Sequence, residues 1–267
     1  MIINLPSTFL IGGVHTNLHW LIQYFNMHPN TYVGKDIGAN FFANDQLYKK
    51  GVSELYKGFI HSNSNQVKIE IAPNYLYYGD KVIPRLKALY NKDVKDLKFI
   101  VYLDNPLERM LSEYQFNVEQ GVENLSLGKA IVRENTLKLI PEYCNSGNTC
   151  GLYSANSLYA EQLKVWMSEF GEHQFLFVGE SDKTKSTVSR FLDLKNEEAN
   201  IPSIDLGQKT VKLLSSYFKS KQEKERQGIM KTIPNSLFGD FEKDIKTLEN
   251  LTRMDFSCWK SRSMAVI

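Results

Sequence analysis

The sequence lacks the features of several specialised classes of protein. Only three of its 267 residues are cysteines, and no histidine, cysteine or carboxylate spacing typical of a metal site is present. Lysine and arginine (32) nearly balance aspartate and glutamate (30), which leaves a formal charge of +2. This balance gives no support for a nucleic acid or a membrane surface as the main partner.

Long apolar runs are also missing. No segment reaches the roughly 18 apolar residues that cross a bilayer, and the first residues have neither the charged start nor the apolar stretch of a signal peptide. We therefore expect a cytoplasmic protein. In that setting Cys144 and Cys150, which flank a turn-rich stretch, are expected to stay reduced rather than to close a small disulfide loop.

What the sequence does contain is ordinary for a globular enzyme or binding domain. Its length allows one substantial core, and we expect a single domain over residues 1–267. Short apolar runs predict buried strands at residues 8–14, 67–71, 99–103 and 175–178. Segments with helical spacing lie between these runs, so the pattern favours an α/β fold with a parallel sheet covered on both faces.

The most informative segment is KFIVYLDNPLERMLSEY, residues 98–114. Asn105 is a good N-cap and Pro106 suits the first helical position, so an apolar strand is predicted to run straight into a helix. Such a helix start has free backbone N–H groups and a positive end, where an anion can sit. We interpret Glu108 and Arg109 as a structural pair rather than as catalysts.

A second junction of this kind follows the first predicted strand. Gly12 and Gly13 allow the backbone to turn tightly, and apolar residues then recur at helical spacing up to His28-Pro29. The outline is that of a phosphate-binding loop, although the GxxxxGK[ST] pattern of nucleotide triphosphatases is missing. Alone, a two-glycine turn is also common as a purely structural joint.

Several segments together resemble the sulfotransferases. FLIGG followed by a helix ending in HP is similar to FxIGxxKxGTTxLxxxLxxHP, and DNPLERMLSEY is similar to RNPxERxxSxY. APNYL, LYAEQLKVWMSEFGEHQFLFVGESD and LENLTRMDFSCW resemble further family segments, in the same order across nearly the whole chain. The resemblance is nearest to enzymes that modify sugars or polysaccharides. It implies a P-loop-like parallel sheet flanked by helices.

The resemblance also implies a co-substrate, 3′-phosphoadenosine 5′-phosphosulfate, held between the two junctions. Its 5′-side phosphate would lie in the first loop and its 3′-phosphate at the second helix. The cofactor-binding residues that follow from the resemblance are Gly12, Gly13, Thr16, Asn17, His19 and Ser112. The implied partner is a saccharide or small-molecule acceptor with a hydroxyl group.

The chain departs from the family at chemically important positions. His15 stands where the loop lysine belongs, and Ile71 where some sugar sulfotransferases carry a second lysine. Asp104 replaces the arginine that binds the 3′-phosphate. We assign His15 to neutralise the leaving phosphate. Asp36, in the loose match of Lys35-Asp36 to the family's KE site, is the candidate base.

Three functions are compatible with these residues. The first is sulfuryl transfer from the family's donor to a hydroxyl of a sugar or similar acceptor, with a remodelled donor site. The second is a non-catalytic carbohydrate-binding or interaction module. The third is transfer from a donor without a 3′-phosphate, which Asp104 would tolerate. The same aspartate can also serve as a helix-N-terminal charge bonded by amides, in which case the protein itself fills the anion site.

Overall fold

The computed structural model describes residues 5–14, 16, 18–179, 183–195 and 223–259. Within these ranges one parallel sheet has the strand order β2-β3-β1-β4-β5. The strands are β1 (Thr8–Gly12), β2 (Thr31–Val33), β3 (Val67–Ile71), β4 (Lys98–Tyr102) and β5 (Phe175–Val178). The predicted parallel α/β sheet is confirmed, and only the short edge strand β2 was not predicted.

Helices connect the strands and continue beyond the sheet. Those in the described ranges are α1 (His19–Met27), α2 (Asp45–Lys49), α3 (Val52–Lys57), α4 (Gly79–Tyr90), α5 (Pro106–Glu119), α6 (Leu127–Leu137), α7 (Pro141–Asn145), α8 (Tyr159–Glu169), α9 (Lys183–Phe191), α10 (Glu223–Met230) and α11 (Asn235–Thr252). Among the described residues, no helix is both long enough and apolar enough to cross a membrane.

The two faces of the sheet are covered by different helices. On one face α1 and α9 pack over a cluster that includes Leu10 and Ile100. On the other face α4, α8 and α11 pack over Phe9 and Phe99, and α8 contributes Trp166 to this cluster. All five residues of β1 are buried, as expected for a central strand with helices on both sides.

A third apolar cluster joins α5 to α6, α10 and α11. The buried apolar side of α5 lies in this cluster and consists of Leu107, Met110, Leu111 and Tyr114. Asn105 and Pro106 occupy the N-cap and the first helical position, as predicted. This packing fixes the direction in which α5 leaves β4.

The carboxyl ends of the parallel strands meet at one edge of the sheet. Strand β1 pairs with β3 on one side and with β4 on the other, so the order of the chain reverses between β1 and β4. Ligands of open α/β sheets bind outside the carboxyl ends of the strands at such a switch point. The loop after β1 and the turn after β4 therefore flank the expected ligand site.

Cys144 and Cys150, which flank the turn-rich stretch, are free thiols. The Cys144 thiol contacts the carbonyl of Lys138 at 3.3 Å, and the Cys150 thiol contacts Oδ1 of Asn117 at 3.6 Å. Burial raises the pKa of Cys150 above its ordinary value.

Candidate functional site

The loop after β1 depends on its two glycines. Gly12 and Gly13 have φ angles of +76° and +69°, in the left-handed region that other residues rarely adopt. A Cβ atom on Gly12 would lie 2.8 Å from the carbonyl oxygen of Tyr102, and one on Gly13 would lie 2.9 Å from the ring of the same tyrosine. The loop is therefore pressed against the end of β4, and a side chain at either glycine would force it away.

Thr16 and the start of α1 form the rest of this loop. Thr16 donates to the carbonyl of Gly13 from its hydroxyl at 2.7 Å and from its N–H at 3.2 Å. The helix then begins at His19, which is exposed. In the described part of the chain no side chain caps α1, and its first turn contains no acidic residue. Its positive end can thus receive an anion. His15 and Asn17, which were also predicted, lie outside the described residues.

The turn after β4 is filled by the protein's own side chains. The carboxylate of Asp104 accepts a hydrogen bond from the N–H of Asn105 at 2.7 Å. Oδ1 of Asn105 accepts from the N–H groups of Leu107 and Glu108 at 3.0 and 3.3 Å. Pro106 has no N–H group. Each of these amides at the start of α5 therefore has an internal acceptor, which confirms that Asp104 is bonded by an amide.

Removing the N-cap of α5 gives a first prediction. We expect Asn105→Ala to lower the free energy of unfolding by about 1 to 2 kcal/mol, because two amides at a buried helix start lose their acceptor. Asn44→Ala is the matched control, since Asn44 caps the partly exposed five-residue α2 through the same two kinds of bond. It is expected to cost less than about 1 kcal/mol in urea unfolding. Equal losses would contradict the prediction.

Ser112, the predicted ligand of the 3′-phosphate, lies on the second turn of α5. It is partly exposed and belongs to the same helix whose first amides have internal acceptors. Its binding of a phosphate stays a prediction.

The structural pair expected in this helix has different partners. Arg109 is buried and forms an ion pair with Glu113 at 2.8 Å, and its Nε donates to Ser157 at 2.7 Å. Glu108 pairs instead with Arg226. The predicted Glu108–Arg109 pair was wrong, because neighbouring residues on a helix point in different directions and residues four apart share a face.

The loop between β2 and α2 carries Lys35 and the candidate base Asp36. Both side chains are exposed. The loop crosses the end of β3, where the N–H of Gly38 donates to the carbonyl of Ile71 at 2.9 Å. Strand β2 lies two strands from β1 in the sheet. The Asp36 carboxylate lies near the end of α3, where a Cβ atom on Gly58 would be 3.8 Å from its Oδ2.

A buried carboxyl group near the end of β3 was not predicted. Glu70 accepts a hydrogen bond from the hydroxyl of Tyr75 at 2.6 Å, and this hydroxyl oxygen accepts from the N–H of Phe42 at 2.9 Å. Burial raises the pKa of Glu70 to about 7. The three groups tie the loop that carries Asp36 to the sheet. A single glutamate in the apolar run VKIEI was the signal for it.

The chain is similar to known sulfotransferases over most of its length. No family model matches the chain. It is 26% identical over 198 residues to heparan sulfate glucosamine 3-O-sulfotransferase 5 of Mus musculus and, to the same degree, of Homo sapiens, which covers 74% of this chain and 54% of each relative. The chain thus spans about half the length of the curated relatives it matches.

A solved structure has the same fold. The crystal structure of a sulfotransferase from Alicyclobacillus acidocaldarius superposes with a TM-score of 0.70 at 20% sequence identity. The match covers 96% of this chain and 98% of the other. The fold that the sequence resemblance implied, a P-loop-like parallel sheet flanked by helices, is therefore confirmed.

Proposed function

We propose that this chain transfers a sulfuryl group, because it is similar to curated sulfotransferases over 74% of its length and has the fold of a solved sulfotransferase. The proposed donor is 3′-phosphoadenosine 5′-phosphosulfate, and the acceptor is a hydroxyl group of a sugar or a similar molecule. One observation carries the proposal: the glycine loop and the uncapped start of α1 lie beside β4 at the switch point of the sheet. An anionic donor fits that position.

The proposed reaction needs few protein groups. The acceptor oxygen attacks sulfur, and a new S–O bond forms while the bond between sulfur and the 5′-phosphate oxygen breaks. The electron pair of the broken bond stays on the leaving phosphate, where the first loop, with His15 as the proposed cation, would balance the added charge. The hydroxyl proton goes to a base, for which Asp36 is our candidate. Positioning and charge neutralisation then supply most of the catalysis.

One contact favours a second candidate function, transfer from a donor that lacks the 3′-phosphate. The carboxylate of Asp104 is bonded to the amide of Asn105, at the position where the family resemblance puts that phosphate. Two anions there would repel each other by several kcal/mol in a partly desolvated site. Adenosine 5′-phosphosulfate would avoid this repulsion.

Calorimetry and an activity assay test both candidates. We expect 3′-phosphoadenosine 5′-phosphate to bind, and sulfuryl transfer from the corresponding donor to oligosaccharides to be visible by mass spectrometry of the acceptor. If only adenosine 5′-phosphosulfate serves as donor, the second candidate holds. No heat and no thermal shift with either nucleotide at millimolar concentration would contradict both. Stabilisation by oligosaccharides alone would then indicate a non-catalytic binding module.

A further inference from the structure

An open groove lies where the start of α6 faces the turn after α10. Its volume is about 520 Å³, within the range of small-molecule sites. The side chains that line it are those of Ser126, Lys129, Val132, Arg133, Thr136 and Thr232. Tyr114 bonds the carbonyl of Leu125, next to the groove, and lies roughly 12 Å along α5 from its start. The groove is therefore separate from the candidate transfer site.

One face of α6 forms most of the groove. At 100° per residue, positions 126, 129, 132, 133 and 136 fall on a single face of the helix. The opposite side of α6 is buried through Leu127, Ala130 and Glu134. Gly128 keeps the helix close to the facing turn, because a Cβ atom there would lie only 2.0 Å from the carbonyl oxygen of Thr232. The groove is thus a fixed feature of the fold.

The groove presents two cationic side chains in different states. Lys129 is exposed, and no carboxylate in the described ranges forms an ion pair with it. Arg133 is held by the buried carboxylate of Glu123 through two bonds of 3.2 and 2.5 Å. Glu123 also accepts from the hydroxyl of Tyr153 at 2.8 Å. The charge of Arg133 is therefore already paired and its side chain is held in place. Lys129 supplies the positive charge that an incoming anion would contact.

The other groups that line the groove are hydroxyl groups and the isopropyl side chain of Val132. Ser126 and Thr136 are exposed, and the hydroxyl of Ser126 does not cap α6. Val132 is 66% exposed. A cation, free hydroxyls and an apolar edge in a shallow groove match a charged sugar, which offers an anion, hydroxyl groups and a C–H face. A purely apolar ligand would leave the lysine and the hydroxyls unpaired.

We propose that this groove binds a saccharide that carries a carboxylate or sulfate group. The site is distinct from the one assigned to sulfuryl transfer, and the proposal does not require that reaction. Lys129 would contact the anionic group, while Ser126 and Thr136 would bond the hydroxyls and Val132 would contact the ring.

The test is a titration of the full chain with a sulfated tetrasaccharide, without nucleotide, followed by methyl NMR. The Val132 methyl signals are expected to shift, whereas those of Val118 and Val165, both 43% exposed elsewhere, stay in place. Lys129→Gln should weaken binding roughly tenfold. Lys138→Gln, at the C-cap of α6 and two and a half turns from Lys129, should leave the affinity unchanged.

The outcomes distinguish binding in this groove from nonspecific attraction between the anionic saccharide and surface lysines. Equal weakening by the two lysine variants, or an unshifted Val132, would overturn the proposal. So would equal affinity of the unaltered protein for the sulfated and the desulfated tetrasaccharide. Because nucleotide is absent, loss of the transfer hypothesis would leave these results unchanged.

Discussion

Replacing Asp104 by arginine is expected to tighten the binding of 3′-phosphoadenosine 5′-phosphate by two to three orders of magnitude. The change removes a carboxylate that is bonded to the amide of Asn105 and supplies a guanidinium that can form a bidentate pair with phosphate. Repulsion becomes attraction, a swing of several kcal/mol in a partly desolvated site, and each ~1.4 kcal/mol is tenfold in affinity. Isothermal titration calorimetry on Asp104→Arg and the unaltered protein measures the effect.

A matched ligand and a matched variant isolate the 3′-phosphate. Adenosine 5′-phosphate lacks that group, so its affinity should be nearly the same in both proteins. Asp104→Asn removes the charge but keeps an oxygen that can accept from the amide of Asn105. It should therefore strengthen binding of the 3′-phosphorylated nucleotide only about tenfold. If Asp104→Arg changes the affinity for both nucleotides equally, or for neither, the 3′-phosphate does not lie at the start of α5.

Much of the fold could be predicted because local signals and tertiary packing agree. Strand β4 and helix α5 were found at their observed junction, since Asn105 and Pro106 define a helix start from sequence alone. Strand β2 was missed because three residues are too few to show a pattern. Apolar residues at helical spacing extend over residues 154–170, but helix α8 begins only at Tyr159, because Ala155–Ser157 form a 3-10 turn first.

The sequence predicted which segments form the candidate site, but it did not predict the hydrogen bonds within them. Motif spacing identified Gly12, Gly13 and Ser112, but only the geometry of the turn decides that the Asp104 carboxylate reaches an amide. The bonding of Glu70 could not be predicted, because its donor Tyr75 is itself held by the N–H of Phe42, which comes from a separate segment of the chain. The groove on α6 needs two elements more than 90 residues apart, and no local pattern predicts such a pairing.

Glu70 is expected to make the protein less stable as the pH rises from about 5 to about 7. Its pKa is about 7 in the folded protein, against an ordinary value of 4.5. Across that range the folded state holds a proton that the unfolded chain has released. The stabilisation that this proton provides is present in full below the unfolded pKa of 4.5. It is lost as the pH rises through the folded pKa of about 7. The total loss is about 3 kcal/mol.

Glu70→Gln tests this account, because glutamine stays neutral at every pH in question. Near pH 5, where Glu70 is protonated, the variant and the unaltered protein should have nearly equal free energies of unfolding in urea. At about pH 8 the variant should be more stable, by up to about 3 kcal/mol. Glu134 and Asp244 also have raised pKa values, so the quantity to follow is the difference between the two proteins.

Tyr75→Phe gives the second arm of the same test. The hydrogen bond from Tyr75 lowers the pKa of Glu70, so removing the hydroxyl should move the stability loss to higher pH. The variant also leaves the N–H of Phe42 without its acceptor, which costs about 1 to 3 kcal/mol at every pH. A pH slope in Glu70→Gln that matches the unaltered protein would assign the titration to another group. A Tyr75→Phe curve displaced only downwards, and not along the pH axis, would show that the hydroxyl does not bond the carboxylate.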